Sequence, residues 1–305
     1  MRSKIPVSAR VPMAARPAWF RAAVGACDAV TRRMPATGVR LAEAAGWLCH
    51  AGRLWGAAPS EVSAVFPWLP DAAAARLARR IAAQDLKCRA YDRLLYSGGI
   101  ESAASLLSRP HLARLEQRLR EPGGQVLLDV HTGPISATSA ALLLLGKTAL
   151  IVRKSGRTAC ARGLEVVGLE GDDQHRAQVL RRGVEYLRQG NAVVLAADGW
   201  EGAATEPVAC CGRLVRFRRG AFVMARLSGA PILPLYFRWG DGGRIEVEAA
   251  EPIRPAGVGD AVRQETEMAA VVAGWLEGQL LARPDDLSLS LLKWLQTSGP
   301  PVAVL

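Results

Sequence analysis

Three chemically competent side chains follow three apolar runs. His131 comes just after Val126-Leu127-Leu128-Asp129-Val130, Arg153 closes Ala149-Leu150-Ile151-Val152, and Asp198 follows Ala192-Val193-Val194-Leu195-Ala196-Ala197. Short apolar runs bounded by turn residues read as buried strands. In parallel sheets the residues just beyond the C-terminal strand ends line the site. A base, a cation and a carboxylate at three successive ends therefore form a constellation. The imidazole can take a proton, the guanidinium can bind an anion, and the carboxylate can orient the imidazole. Pro134, a favoured first helical residue, follows His131 closely, so helix-start amides stand near any oxyanion that forms there.

The elements that must position these residues alternate. Helices are expected over 135–145, 175–187 and 221–227, with a further strand over 231–237 and an alternating strand over 244–248. Pro231 and Pro234 predict an edge or a bulge for the fourth strand. Buried strands alternating with helices predict an α/β fold with a largely parallel central sheet flanked by helices. Upstream, Asp71 is a candidate N-cap for a long helix over 72–94, and 111–119 reads as another helix closed by Glu121-Pro122-Gly123-Gly124. The expected organisation is a basic helical arm over 1–56, an α/β domain over 57–282, and a C-terminal helix and tail over 283–305.

The chain of 305 residues has 39 Lys+Arg against 28 Asp+Glu, a formal net charge of +11. Nine of those cations lie in 1–56, opposed only by Asp28 and Glu43. Strong basicity suits nucleic acid, an anionic membrane surface or an acidic substrate. No nucleic-acid-binding motif is present and aromatics are only 6%, which argues against the first. Residues 17–56 read as two helices broken at Pro35. Trp19, Phe20, Val24, Cys27 and Val30 lie among Arg16, Arg21, Arg32 and Arg33. That pattern fits both an interfacial membrane helix and a helix packed on the protein's own core. No apolar run reaches the roughly 18 residues of a membrane span, and Arg16 and Arg21 interrupt any signal-peptide core. A cytoplasmic protein, peripheral on the inner face of the cell membrane, is the expectation. The cysteines (Cys27, Cys49, Cys88, Cys160, Cys210, Cys211) show no ligand spacing, so free thiols and no metal site are expected. Gly199-Trp200-Glu201-Gly202 lacks phosphate-loop spacing, and no GxSxG motif of a serine hydrolase occurs.

The order VLLDVHTGPIS, a strand ending in Arg153, VLAADG and GAFVMARLSGAPILPLYF resembles the lysophospholipid acyltransferase superfamily. Within it, the chain is most similar to the branch of lipid A late acyltransferases and phosphatidylinositol mannoside acyltransferases. Upstream, SEVSAVFPWLPDAAAARLARR is similar to that branch's phenylalanine–proline pair before a long helix, so the likeness covers roughly 55–255. The resemblance implies transfer of an acyl group from an acyl-carrier-protein or coenzyme A thioester to a hydroxyl on a lipid or glycolipid. The thioester is then a substrate, and no bound cofactor is implied. The family's histidine is followed, after four intervening residues, by Asp or Glu. This chain keeps His131 but carries Ser136 at the carboxylate position.

A serine can hydrogen-bond an imidazole but brings no charge, and charge-assisted bonds are roughly twice as strong. Three readings follow. Another carboxylate serves, either Asp129, two residues back on the same strand, or Asp198. Alternatively the acceptor is a better nucleophile such as an amine. In the third reading the chain is catalytically degenerate and acts in acyl-carrier or lipid binding. The resemblance matches Arg153 to a strand-end arginine of the family and the turn of Asp198 and Gly199 to a Pro-Asp-Gln-like turn, and Arg157, in the loop after Arg153, is a further candidate for binding an anion. Arg216, Arg218 and Arg219 depart from the family, whose residues there tend to be small or hydroxylated; with Arg213 they form a basic segment that can grip phosphates of a carrier, coenzyme or lipid headgroup. A solvated strand face is the plainer reading of those last arginines. Lipid A, a mannolipid and a specialised metabolite all remain open as acceptor.

Overall fold

The computed structural model describes residues 18–51, 56–154, 163–199, 202–257 and 259–297. Its strands are β1 (Gln125–Asp129), β2 (Ala149–Arg153), β3 (Leu164–Gly168), β4 (Ala192–Ala196), β5 (Val208–Cys210), β6 (Arg213–Val215), β7 (Ile232–Trp239) and β8 (Ile245–Ala249). Six of them form one sheet in the order β3-β2-β4-β1-β7-β8, and β5 and β6 pair separately as a hairpin. All neighbours in the large sheet run parallel except β7 and β8. The fold is α/β with a largely parallel central sheet flanked by helices.

Strand residues point alternately to the two faces, and each face has its own core. Val126, Leu128, Leu150 and Val193 pack on one side with helices α8 (Asp173–Arg188), α9 (Gly220–Ser228) and α10 (Ala261–Ala282). Leu127, Ile151, Val194 and Leu235 pack on the other, against α7 (Ala137–Leu144). Such two-sided burial explains why these strands read as continuous apolar runs.

The proline-bearing strand is not at the edge. β7 lies between β1 and β8. Ile232 donates its amide to Ile253, so Pro234, two residues on, turns its missing N–H to that same side. The last β8 pair there is Ala249 with Leu235, and Ala250 instead donates to the Pro234 carbonyl. The next bridge, Ile232 with Ile253, is one residue out of step with the Leu235–Ala249 pair, so Pro234 sits at a bulge inside the sheet, where no donor is required. Two further details differ from the sequence expectation. β3 and the β5–β6 hairpin were not anticipated, and Asp71 is the first residue of its helix, with Pro70 at the cap.

The short helix α3 (Pro59–Val65) lies against the long helix α4 (Asp71–Arg93), which is followed by α5 (Ile100–Ala104) and by α6 (Arg109–Arg118) on β8. Helices α1 (Ala18–Arg33) and α2 (Pro35–Ala51) also lie against α4. The approach is close: a Cβ on Gly46 would stand 2.5 Å from the Ala83 Cα. Glu43 pairs with the buried Lys87 at 3.2 Å, and Val39 joins Tyr91 in the core. The outer side of these helices exposes Met34, Leu41, Trp47 and Leu48. At the other end of the chain, α11 (Leu289–Thr297) buries Leu291, Leu292 and Leu295, and its Trp294 stacks 5.0 Å from Phe217. No helix among the described residues is long and apolar enough to cross a membrane.

Candidate active site

Strand register alone brings two of the three strand-end residues together. Asp129, the last residue of β1, is paired with Ala196, the last of β4. His131 and Asp198 each lie two residues beyond that pair. The Ala197 amide continues the ladder to the Asp129 carbonyl at 2.9 Å. On the other flank of β4, Ile151 pairs with Val194, which brings Arg153 to the same level.

The turn that carries His131 is held from two directions. Thr132 donates its hydroxyl to the Phe237 carbonyl at 3.0 Å. Gly133 passes so close to that strand that a Cβ would lie 2.3 Å from the Phe237 oxygen, which excludes any larger residue there. From the C-terminal segment, Ser288 donates its hydroxyl to the His131 carbonyl. The backbone at His131 is thus fixed by groups that do not involve its ring.

The ring is oriented by Asp198. Its Oδ1 is 2.8 Å from His131 Nδ1, and its Oδ2 also accepts the His131 backbone amide at 3.2 Å. A carboxylate only accepts, so Nδ1 carries the proton and Nε2 presents its lone pair. Asp198 is 1% exposed, whereas the His131 side chain is 32% exposed. Among the described residues Nε2 has no hydrogen-bond partner. Burial lowers the imidazole's pKa, but the charge and hydrogen bond of Asp198, with smaller contributions from Asp129 and Asp92, oppose it, and the net shift is upward. This partly exposed imidazole, with one nitrogen held by a buried carboxylate and the other open, is the arrangement of an oriented general base.

Asp129 does not serve this purpose. The same-face expectation required β1 to continue to residue 131, and the strand ends at Asp129. Its carboxyl instead meets the Thr138 hydroxyl at 2.8 Å. Ser136 is equally separate from the imidazole: its hydroxyl donates to Asp92 on α4. Asp92 was missed in the sequence. The available signal was an acidic residue on the same stripe of α4 as Leu77, Ile81 and Cys88, where an apolar side chain is expected. Burial raises the Asp92 pKa, while the Ser136 hydroxyl and nearby Arg153 oppose the rise.

A cavity of about 1070 Å³ opens beside this cluster. Leu169, Val179, Leu180 and Met224 give it an apolar wall, and Asp92, Asp129, His131, Ser136, Arg153 and Gly199 all line it. Arg153 donates to Ser139 at 3.2 Å and to the Tyr96 hydroxyl. The later arginines divide. Arg218 lines the cavity and ties its loop, donating to the carbonyls of Gly199 at 2.6 Å and Gly202 at 2.8 Å. Arg219 lines it too, held at 2.6 Å by Glu265, which also pairs with Arg226 at 3.2 Å. Arg216 is not brought to the cavity; it donates to the Thr205 carbonyl at 3.0 Å. Arg157 lies outside the described residues. No cluster of metal-ligating side chains occurs among the described residues.

Asp129 is expected to make stability depend on pH. Burial pushes its carboxyl up to about 7 from the ordinary 3.8. Between those values the native state holds a proton that the unfolded chain releases, so this group makes stability fall as pH rises through the window. Asp129→Asn is expected to remove that fall. Its stability gain over wild type should grow by up to about 4 kcal/mol from pH 4 to pH 7, measured by denaturant midpoints. An equal gain at both pH values would contradict this.

No protein-family model matches the chain, and no curated protein matches its sequence. Among solved structures it is similar to the 1-acyl-sn-glycerophosphate (LPA) acyltransferase PlsC from Thermotoga maritima. That similarity has 17% sequence identity and a TM-score of 0.40, covering 66% of this chain and 82% of that chain.

Proposed function

We propose that the protein is an acyltransferase that moves an acyl group from a coenzyme A or acyl-carrier-protein thioester to a hydroxyl or amine. His131 is its general base and Asp198 the carboxylate that orients it. The observation that carries this reading is the His131–Asp198 pair, with Nδ1 bound at 2.8 Å, set in a largely apolar cavity. The volume suits a long apolar ligand, since drug-sized sites run roughly 300–1000 Å³.

In this mechanism Nε2 takes the proton of the acceptor O–H or N–H as that atom attacks the thioester carbonyl. The tetrahedral intermediate collapses, the C–S bond breaks, and the imidazolium returns the proton to the leaving thiolate. Asp198 stabilises the transient imidazolium. Arg153, Arg218 and Arg219 supply positive charge for anionic groups of donor or acceptor. The motive for a degenerate, binding-only protein was the serine at position 136; a buried carboxylate on the imidazole weakens that motive.

The exposed Met34, Leu41, Trp47 and Leu48 stand among Arg32, Arg33 and Arg40 on α1 and α2. This surface supports peripheral binding to an anionic membrane, placed in the proposal at the inner face of the cell membrane. One assay tests both parts. The protein is incubated with labelled acyl thioesters and acceptor-bearing vesicles, with and without anionic lipid, and products are read by mass spectrometry. The expected result is an acceptor heavier by one acyl group, formed faster on anionic vesicles. Thioester binding without any acylated product would favour the binding-only reading.

A further inference from the structure

Asp129 leaves one polar atom unaccounted for. The residue is 4% exposed, and its Oδ1 is buried with no hydrogen-bond partner among the described residues. Its Oδ2 is 2.8 Å from the Thr138 hydroxyl, which also lies 2.9 Å from the Ile135 carbonyl. A hydroxyl has one proton to donate, and a peptide carbonyl can only accept. Both contacts are satisfied together when Thr138 donates to Ile135 and a protonated Asp129 donates to Thr138. The proton then sits on Oδ2, and Oδ1 remains as a neutral, carbonyl-type acceptor. Burial, which raises this carboxyl to about 7, agrees with that protonation.

Asp129 and Thr138 both line the cavity that contains His131. Leaving a buried acceptor unpaired carries the full desolvation penalty of that atom, and native folds keep few such groups. We propose that Asp129 is a specificity contact of this cavity, its Oδ1 accepting a hydrogen bond from an O–H or N–H group of the molecule bound beside His131. The site therefore favours a ligand with a polar hydrogen over an ether or hydrocarbon of the same length. This rests on the proposed function for its catalytic consequence, though not for the binding itself. Two sources share the required chemistry: the acceptor's hydroxyl or amine, and an amide N–H of the thioester donor.

The binding test uses dodecanol and dodecyl methyl ether as probes, titrated calorimetrically into wild type, Asp129→Leu and Asp129→Asn. Wild type should prefer the alcohol by about three- to tenfold, the effect of one neutral hydrogen bond. Asp129→Leu should bind both alike, and Asp129→Asn should restore the preference, because its amide oxygen still accepts. Asp129→Ala replaces the leucine variant if circular dichroism shows the latter unfolded. An undiminished preference in the apolar variant, or none in wild type, overturns the proposal. With an active enzyme, a higher KM for the acceptor or for the donor tells which molecule makes the contact. Probe discrimination in a protein that transfers no acyl group would leave Asp129's role standing while the proposed function fails.

Discussion

Replacing His131 by alanine is expected to lower acyl transfer by about 10²- to 10⁴-fold, the range for loss of a positioned general base. The donor's KM should change little, because the proposed apolar wall of Leu169, Val179, Leu180 and Met224 is untouched. The variant should fold. The turn is anchored by the Ser288 bond to the His131 carbonyl, the Thr132 bond to Phe237 and the His131 amide bond to Asp198, none of which uses the ring. The cost to stability is one charge-assisted bond to a buried carboxylate, about 1–3 kcal/mol, visible as a modest fall in Tm. Transfer at the wild-type rate in a folded His131→Ala protein would remove the imidazole from the mechanism.

Asp198→Asn is the second large effect. The amide keeps the shape of the side chain but loses the negative charge that stabilises the imidazolium and selects the Nδ1–H tautomer. A loss of up to about four orders of magnitude in kcat is expected, in the manner of carboxylate-to-amide changes in base–carboxylate pairs. The substrates' KM values should stay close to wild type, since Asp198 is buried behind the ring and positions it without touching substrate. The variant should also shift the His131 titration. With the carboxylate charge gone, burial is left to dominate, and the imidazole's pKa falls. A structural role alone would not move that titration.

Much of this site was legible in the sequence because the strands are short apolar runs closed by polar turns. His131, Arg153 and Asp198 could be placed at one edge of a parallel sheet on that basis. The choice between Asp129 and Asp198 could not. Alternation along a strand predicts which residues share a face only while the strand lasts, and β1 ends two residues before the histidine. What decides the partner is the pairing of Asp129 with Ala196, a register between strands far apart in the chain. Asp92 was hidden for a similar reason: its place on the buried stripe of α4 shows in the sequence, but its docking beside Ser136 does not. The arginines after residue 212 looked like one basic segment. The fold separates them, sending Arg213 to the Ala64 carbonyl and Arg219 to Glu265 on a distant helix. Pro231 and Pro234 left two readings open, an edge or a bulge, and only the register decides: β7 is interior, and Pro234 lies where its pairing slips by one residue between Leu235–Ala249 and Ile232–Ile253.

The central claim is that His131, tuned by Asp198, takes the acceptor's proton. The pH dependence of kcat/KM for acyl transfer, measured on wild type and Asp198→Asn with the same thioester and acceptor, tests it most directly. The rate should rise with pH as the imidazole loses its proton, and that acid limb should move to lower pH in the variant. A limb that stays in place when Asp198 is neutralised, or a flat profile in wild type, would contradict the account.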